Sequence, residues 1–176
     1  IAAGKSLALV GPSGAGKSTI GQVVASRLNI PVVSVDPIET AILQAGIAAD
    51  QPTGLAAYLV AETLAERVLS TGIGVMVDAV NAVAPAREQW VALAERMQEP
   101  IRFIEVICSD PELHRSRIEG WRKRMPHIQL TWNAVEQSFD DYADWTGSSA
   151  AVARITLDSV DPLGVNVERA IAFLKS

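Results

Sequence analysis

Residues 7–28 read LALVGPSGAGKSTIGQVVASRL, an apolar run, a glycine-rich break and a helical pattern in immediate succession. No other stretch constrains the fold as strongly. Gly11, Gly16, Lys17 and Ser18 meet the pattern G-x-x-x-x-G-K-[ST] in its confirming context, a strand before and a helix after. Reversing a chain in so few residues needs backbone conformations that side chains obstruct, so Gly11, Gly14 and Gly16 let successive N–H groups turn inward around a phosphate. The helix start adds partial positive charge at the same point. The expected cradle is Gly11, Pro12, Ser13, Gly14, Ala15, Gly16, Lys17, Ser18 and Thr19. Lys17 is expected to reach the β- and γ-phosphates of a nucleotide, Ser18 to ligate Mg²⁺ and Thr19 to bond the α-phosphate.

Short β-branched runs at 7–10, 31–35, 74–77, 101–108 and 154–157 alternate with helical segments. That is the pattern of an α/β fold in which helices cover both faces of a parallel sheet. Three helical stripes are expected to face the core: Ala57, Val60, Ala61, Leu64 and Val68; Trp90, Leu93, Ala94 and Met97; and Leu163, Val167, Ala170, Ile171 and Leu174. Asp161 and Pro162 read as cap and first turn of the last helix. A further helix carries Trp132, Val135, Phe139 and Tyr142 on one side, read as packing rather than a base-stacking platform.

With 176 residues, 49% of them apolar, the chain is expected to form one domain, residues 1–176. A formal net charge of -5 argues against a nucleic-acid partner, whose backbone calls for an excess of Lys and Arg. Cys108, the single cysteine, has no partner for an internal disulfide and reads as a reduced, buried thiol of a cytoplasmic protein. No apolar run approaches the ~20 residues that span a bilayer, so no membrane partner is expected.

Ligands of parallel sheets bind outside the carboxyl ends of the strands, where two carboxylates stand: Asp36 in VVSVDPIET and Asp78 in GVMVDAVN. A phosphoryl transfer to an alcohol needs a carboxylate that accepts the hydroxyl proton and aligns the oxygen, and Asp36 is the candidate. The alternative is that Asp36 caps the helix PIETAILQAG, with Glu39 three residues on. Asp78 is a candidate Mg²⁺ ligand, or else contacts the acceptor with Asn81 nearby.

The segment SDPELHRSRIEGWRKRMPHIQLTW holds Arg115, Arg117, Arg122, Lys123 and Arg124, five of the fifteen Lys and Arg residues. Ser109 or Asp110 is expected to cap this helix, while Gly120 and Pro126 bracket WRKRM as something less regular. A lid over approximately 115–130 would carry arginines to the charge spread over the transferring oxygens and exclude water. A solvated helix face is the other reading. Arg122 and Arg124 are the catalytic candidates, and Arg115 and Arg117 brace the helix or contact phosphates. His114 and His127 lack ligand spacing and receive no chemistry.

Taken in order, GPSGAGKST, VSVD, VMVDAVN, SDPELHRSRIEGWRKR and ITLDSVDP resemble the small phosphate-loop kinases related to polynucleotide kinase, chloramphenicol phosphotransferase, gluconate and shikimate kinases and adenylylsulfate kinase. The resemblance implies a three-layer P-loop NTPase fold with a five-stranded parallel sheet, an acceptor-binding acid at Asp36, an arginine-bearing lid, and an adenine contact from residues 158–162, with Asp158 in the nucleotide site. Polynucleotide kinases carry an arginine three residues beyond that acid for the nucleic-acid phosphate. Here the position is Glu39, which repels phosphate. The expected function is therefore an ATP- and Mg²⁺-dependent transfer of the γ-phosphate to a hydroxyl of a small molecule. A nucleotide-binding switch or NTPase without such an acceptor, and a nucleic-acid end kinase, are the alternatives.

Overall fold

The structure, a computed structural model, describes residues 6–124 and 144–176. Its strands are β1 (Ser6–Val10), β2 (Val32–Ser34), β3 (Val75–Asp78), β4 (Ile101–Ile107) and β5 (Arg154–Asp158). Among them run helices α1 (Lys17–Leu28), α2 (Val35–Gln44), α3 (Thr53–Leu69), α4 (Ala84–Met97), α5 (Pro111–Arg124), a short α6 (Gly147–Ala150) and α7 (Leu163–Lys175). The strands form one parallel sheet in the order β2-β3-β1-β4-β5. The chain leaves central β1 toward β2, returns at β3 and then crosses to β4 on the other side. Crevices for ligands open at such reversals, at the carboxyl ends of the strands.

Alternation along the strands divides the interior between two layers. Val75 and Val77 of β3 and Phe103 of β4 join Ala57, Ala61, Trp90 and Leu93 on one side of the sheet. Met76, Ile104 and Val106 join Ile20, Val24, Leu157, Val167 and Ala170 on the other. Successive side chains of a strand point to opposite faces, so a strand covered on both faces reads as uninterrupted apolar sequence.

On α4, Trp90, Leu93 and Ala94 are buried and Met97 packs against the same core, as expected, whereas the stripes of α3 and α7 differ from expectation. On α3 the buried line is Thr53, Ala57, Ala61, Ala65 and Leu69, whereas Val60 is 42% and Leu64 46% exposed. Alanines at every fourth position let the helix backbone lie close to the sheet, and the larger residues are turned outward. On α7, Val167, Ala170, Ile171 and Leu174 are buried, but Leu163 is 42% exposed. Pro162 rather than Asp161 occupies the position before α7 and makes no side-chain cap. On α4, Arg87 is fully buried between the core and Trp145, its guanidinium 4.5 Å from the ring centroid, and it donates to the backbone of Ala82 and Asp144.

The basic segment also departs from expectation. Helix α5 continues through Gly120 to Arg124 without a break. Asp110 caps it, Oδ1 accepting from Leu113 N at 3.0 Å. Pro126, His127 and the helix expected to carry Trp132, Val135, Phe139 and Tyr142 lie outside the described residues, as does the part of the expected lid beyond Arg124. Among the described residues, no helix is long and apolar enough to cross a membrane.

Candidate nucleotide and phosphoryl-transfer site

The loop between β1 and α1 is held by packing that tolerates no side chain at two of its glycines. A Cβ on Gly11, at φ 144°, would stand 2.1 Å from Val106 O, and the neighbour is backbone. On Gly14, at φ 76°, it would stand 2.5 Å from Ile118 Cδ1 and 3.3 Å from His114 Cδ2. Gly11 N also donates to Val80 O, tying the loop to the end of β3. The first turn of α1 follows Gly16 with no side chain capping its amides. Free N–H groups, partial positive charge and a cradle without Cβ atoms suit phosphate oxygens.

Around this turn lies a cavity of about 410 Å³ lined by Ser13, Gly14, Gly16, Lys17, Ser18 and Thr19 on the loop side, and by Asp36, Arg117, Trp121, Ser159, Asp161, Leu163 and Asn166 opposite. Lys17 is buried and its Nζ donates to Pro12 O at 3.1 Å. Burial pulls its pKa below the usual lysine range, while Asp78 and Asp36 oppose the shift. Such an ammonium is set to exchange a carbonyl for a phosphate.

Asp78 ends β3 and is buried. Its Oδ2 accepts from Ser18 Oγ at 2.6 Å and, at the 3.4 Å limit, from Ser34 Oγ. A hydroxyl and a carboxylate this close, beside a phosphate cradle, form a hard oxygen donor pair of the kind Mg²⁺ takes. Asn81 belongs elsewhere. It is fully buried at φ 51°, with Oδ1 accepting from Trp90 Nε1 at 2.8 Å and its N donating to Tyr58 Oη at 3.1 Å. It therefore braces the turn after β3 and is not free to hold an acceptor. Burial, with Asp36, Glu39 and Asp78 close by, pushes the Tyr58 phenol up to about 12.

The cap reading of Asp36 is not the one adopted. Helix α2 begins at Val35, Ser34 holds the N-cap position without a side-chain bond to the helix amides, and Asp36 sits in the first turn and lines the cavity. Glu39, the would-be capping-box partner, instead accepts from Thr53 Oγ1 at 2.9 Å. Asp36 is open to solvent on the cavity side, yet the protein around it raises its pKa by desolvation; Lys17 opposes this, and Asp78 and Glu39 add to it. A carboxylate held above its usual range is a stronger base.

Arg117 lines the cavity and donates to Ser159 Oγ at 2.7 Å, joining α5 to the loop after β5. Arg115 pairs with Glu119 along the exposed side of the helix instead. The α5 backbone carries Arg122 and Arg124, whose side chains are not among those described. Asp158 does not line the cavity; its Oδ1 accepts from Ser109 N and Val160 N, which shapes the loop whose Ser159 and Asp161 do. Cys108 is half-buried rather than buried, 3.6 Å from Arg117 Nη1.

Four residues at the site carried no signal in the motifs: Trp121, Leu163, Asn166 and His114. His114 is buried with Nε2 2.6 Å from Ser13 O, fastening α5 to the phosphate loop. Burial, Arg117 and Lys17 hold its pKa below the usual histidine range, against the hydrogen bond to Ser13. Among the described residues no cluster of His, Cys, Asp and Glu has the form of a preformed metal cage.

The family model described as AAA domain matches residues 7–144. Among solved structures, the chain is similar to the Mycobacterium tuberculosis APS kinase CysC in complex with AMPPNP and APS (TM-score 0.72, 17% identity, 100% of each chain covered). It is similar as well to Chaetomium thermophilum Kti12 in complex with ADP-AlF3 (TM-score 0.74, 16% identity, 97% of this chain and 96% of that one). A gluconokinase from Sinorhizobium meliloti 1021 has a TM-score of 0.67 at 19% identity, over 99% of this chain and 94% of that one. At these identities the likeness is one of fold, the α/β fold of phosphate-loop kinases. Among curated proteins none matches.

Proposed function

The chain belongs to the AAA domain family, and from that premise we propose that it is an ATP- and Mg²⁺-dependent phosphotransferase that moves the γ-phosphate to a hydroxyl of a small molecule. The observation that carries this reading is the meeting of Lys17, Ser18 and Asp36 on one cavity, with Asp78 hydrogen-bonded behind Ser18. A nucleotide switch needs the first two and the acid behind them. Asp36, basic and open on the cavity, is what a transfer to an alcohol adds.

In this scheme the amides of residues 11–19 and the start of α1 hold the phosphates, and Lys17 leaves Pro12 O to neutralise the β- and γ-oxygens. Ser18 and Asp78 would hold Mg²⁺, which supplies charge neutralisation at the transferring group. Asp36 accepts the acceptor's hydroxyl proton and fixes its oxygen in line with phosphorus. Arg117 touches the nucleotide side. Arg122 and Arg124, one and three residues beyond Trp121 on a helix that lines the cavity, act as lid arginines on the developing charge.

The acceptor side is acidic: Asp36 and Asp78 lie near Lys17, and Glu39 adds negative charge beside Asp36. A neutral or cationic hydroxyl compound suits that field, and an anionic acceptor or a nucleic-acid end does not. The test is ADP release from ATP and Mg²⁺ over a panel of amino alcohols, amino sugars, nucleosides, sugar acids and oligonucleotides, with ³¹P detection of the ester. Stimulation by a neutral or cationic alcohol supports the reading. ADP release indifferent to every acceptor points to an NTPase switch.

A further inference from the structure

Helix α5 turns His114, Arg117, Ile118 and Trp121 toward the phosphate loop, the spacing of one helical face. Arg117 and Trp121 line the cavity, whereas His114 is buried away from it at 2% exposure. What His114 holds there is one particular peptide. Its Nε2 stands 2.6 Å from Ser13 O, and because a carbonyl oxygen only accepts, Nε2 carries the proton of that bond.

Residues 12–15 form a β-turn closed by Ala15 N, which donates to Pro12 O at 3.1 Å. Gly14, the third of the four, has φ 76° while Ser13 has a negative φ, the signature of a type II turn. Types I and II differ by a rotation of the central peptide, here Ser13–Gly14, through about 180°. Glycine accepts the φ of either form, so its own preference does not choose between them.

The rotation decides which end of the peptide faces the phosphates. In a trans peptide C=O and N–H point opposite ways, and among the described residues every peptide is trans. With Ser13 O turned onto buried His114, Gly14 N–H is turned the other way, toward the cavity that Ser13 and Gly14 line. Among the described residues nothing accepts from Gly14 N. In the flipped turn a carbonyl oxygen would stand where a phosphate oxygen needs a donor.

We propose that His114 is a positioning residue of the phosphate site: by donating to Ser13 O it locks the 12–15 turn in the form that presents Gly14 N–H to a phosphate oxygen. The inference rests on the nucleotide-binding part of the function proposed above and names what orients its loop.

The experiment is equilibrium binding of ADP to wild type, His114→Leu and His114→Gln, with the Gly14 amide resonance followed by ¹H–¹⁵N NMR. Leucine fills similar space without a donor, and glutamine returns an N–H near the place of Nε2. His114→Leu is expected to weaken ADP by roughly 10- to 100-fold, and His114→Gln to bind at least about fivefold more tightly than His114→Leu. The Gly14 amide proton should move downfield when wild type binds ADP and stay in place in His114→Leu. Equal ADP affinity in wild type and His114→Leu overturns the proposal. Equal weakening in the two variants also overturns it, and would make His114 a packing residue only. If His114→Leu does not fold, the wild-type resonance decides alone, and a Gly14 amide unmoved by bound ADP overturns the proposal. Failure of wild type to bind ADP would instead overturn the nucleotide reading, and the role of His114 with it.

Discussion

Ser18 Oγ donates to Asp78 Oδ2 across 2.6 Å, joining the first turn of α1 to the end of β3. One residue comes from the phosphate-loop motif and the other from a strand end sixty positions on. Replacing Asp78 by Asn keeps the shape and removes the charge. Asp78→Asn should raise the Mg²⁺ concentration for half-maximal turnover by roughly 10- to 100-fold. An unchanged Mg²⁺ titration would leave Asp78 as a partner of Ser18 alone.

Gly11 and Gly120 predict opposite responses to the same substitution. A Cβ at Gly11 would meet Val106 O at 2.1 Å, on a backbone at φ 144°, so Gly11→Ala should lose about 2 kcal/mol or more of stability. Gly120 lies inside α5 with nothing within 4 Å of a Cβ, so Gly120→Ala should gain roughly 0.5–1 kcal/mol. Thermal melts of the two variants should move apart by several degrees, down for the first and up for the second.

His114 makes stability depend on pH. Its folded-state pKa lies below 6.5, so the unfolded chain binds the proton more readily. Its contribution is full above about pH 6.5 and is lost as pH falls through that value toward the lower folded pKa. The melting temperature of wild type minus that of His114→Gln should therefore shrink between pH 7.5 and 5.5. A constant difference would remove His114 as the source.

Much of this site was legible because its chemistry is written in consecutive residues. GPSGAGKST fixes a loop whatever surrounds it, and carboxylates at the ends of apolar strands follow the sheet to one edge. Residues recruited by packing left no such mark. Asn166 reads as an ordinary polar position inside a helix, and only the return of the 158–161 loop makes it a cavity wall. The α3 stripe was misread for a related reason. Periodicity weighs Val60 and Leu64 above Ala57 and Ala65, while close approach to a sheet favours the smaller side chain.

The lid arginines make a kinetic prediction. Arg124→Ala should lower kcat by about tenfold or more with little change in nucleotide affinity, because the charge it serves develops in transfer. A loss confined to affinity would place Arg124 in binding.

The measurement closest to the central claim compares Asp36→Asn with wild type in two assays: nucleotide affinity, and phosphate transfer to the acceptor that stimulates wild type. Affinity should stay within about threefold, while transfer falls by roughly 10²- to 10⁴-fold. Wild-type transfer should also decline on acidification at a pH above that of an ordinary aspartate, in keeping with the raised pKa of Asp36. Transfer by Asp36→Asn at the wild-type rate would contradict the assignment of the base and leave the cavity as a nucleotide site alone.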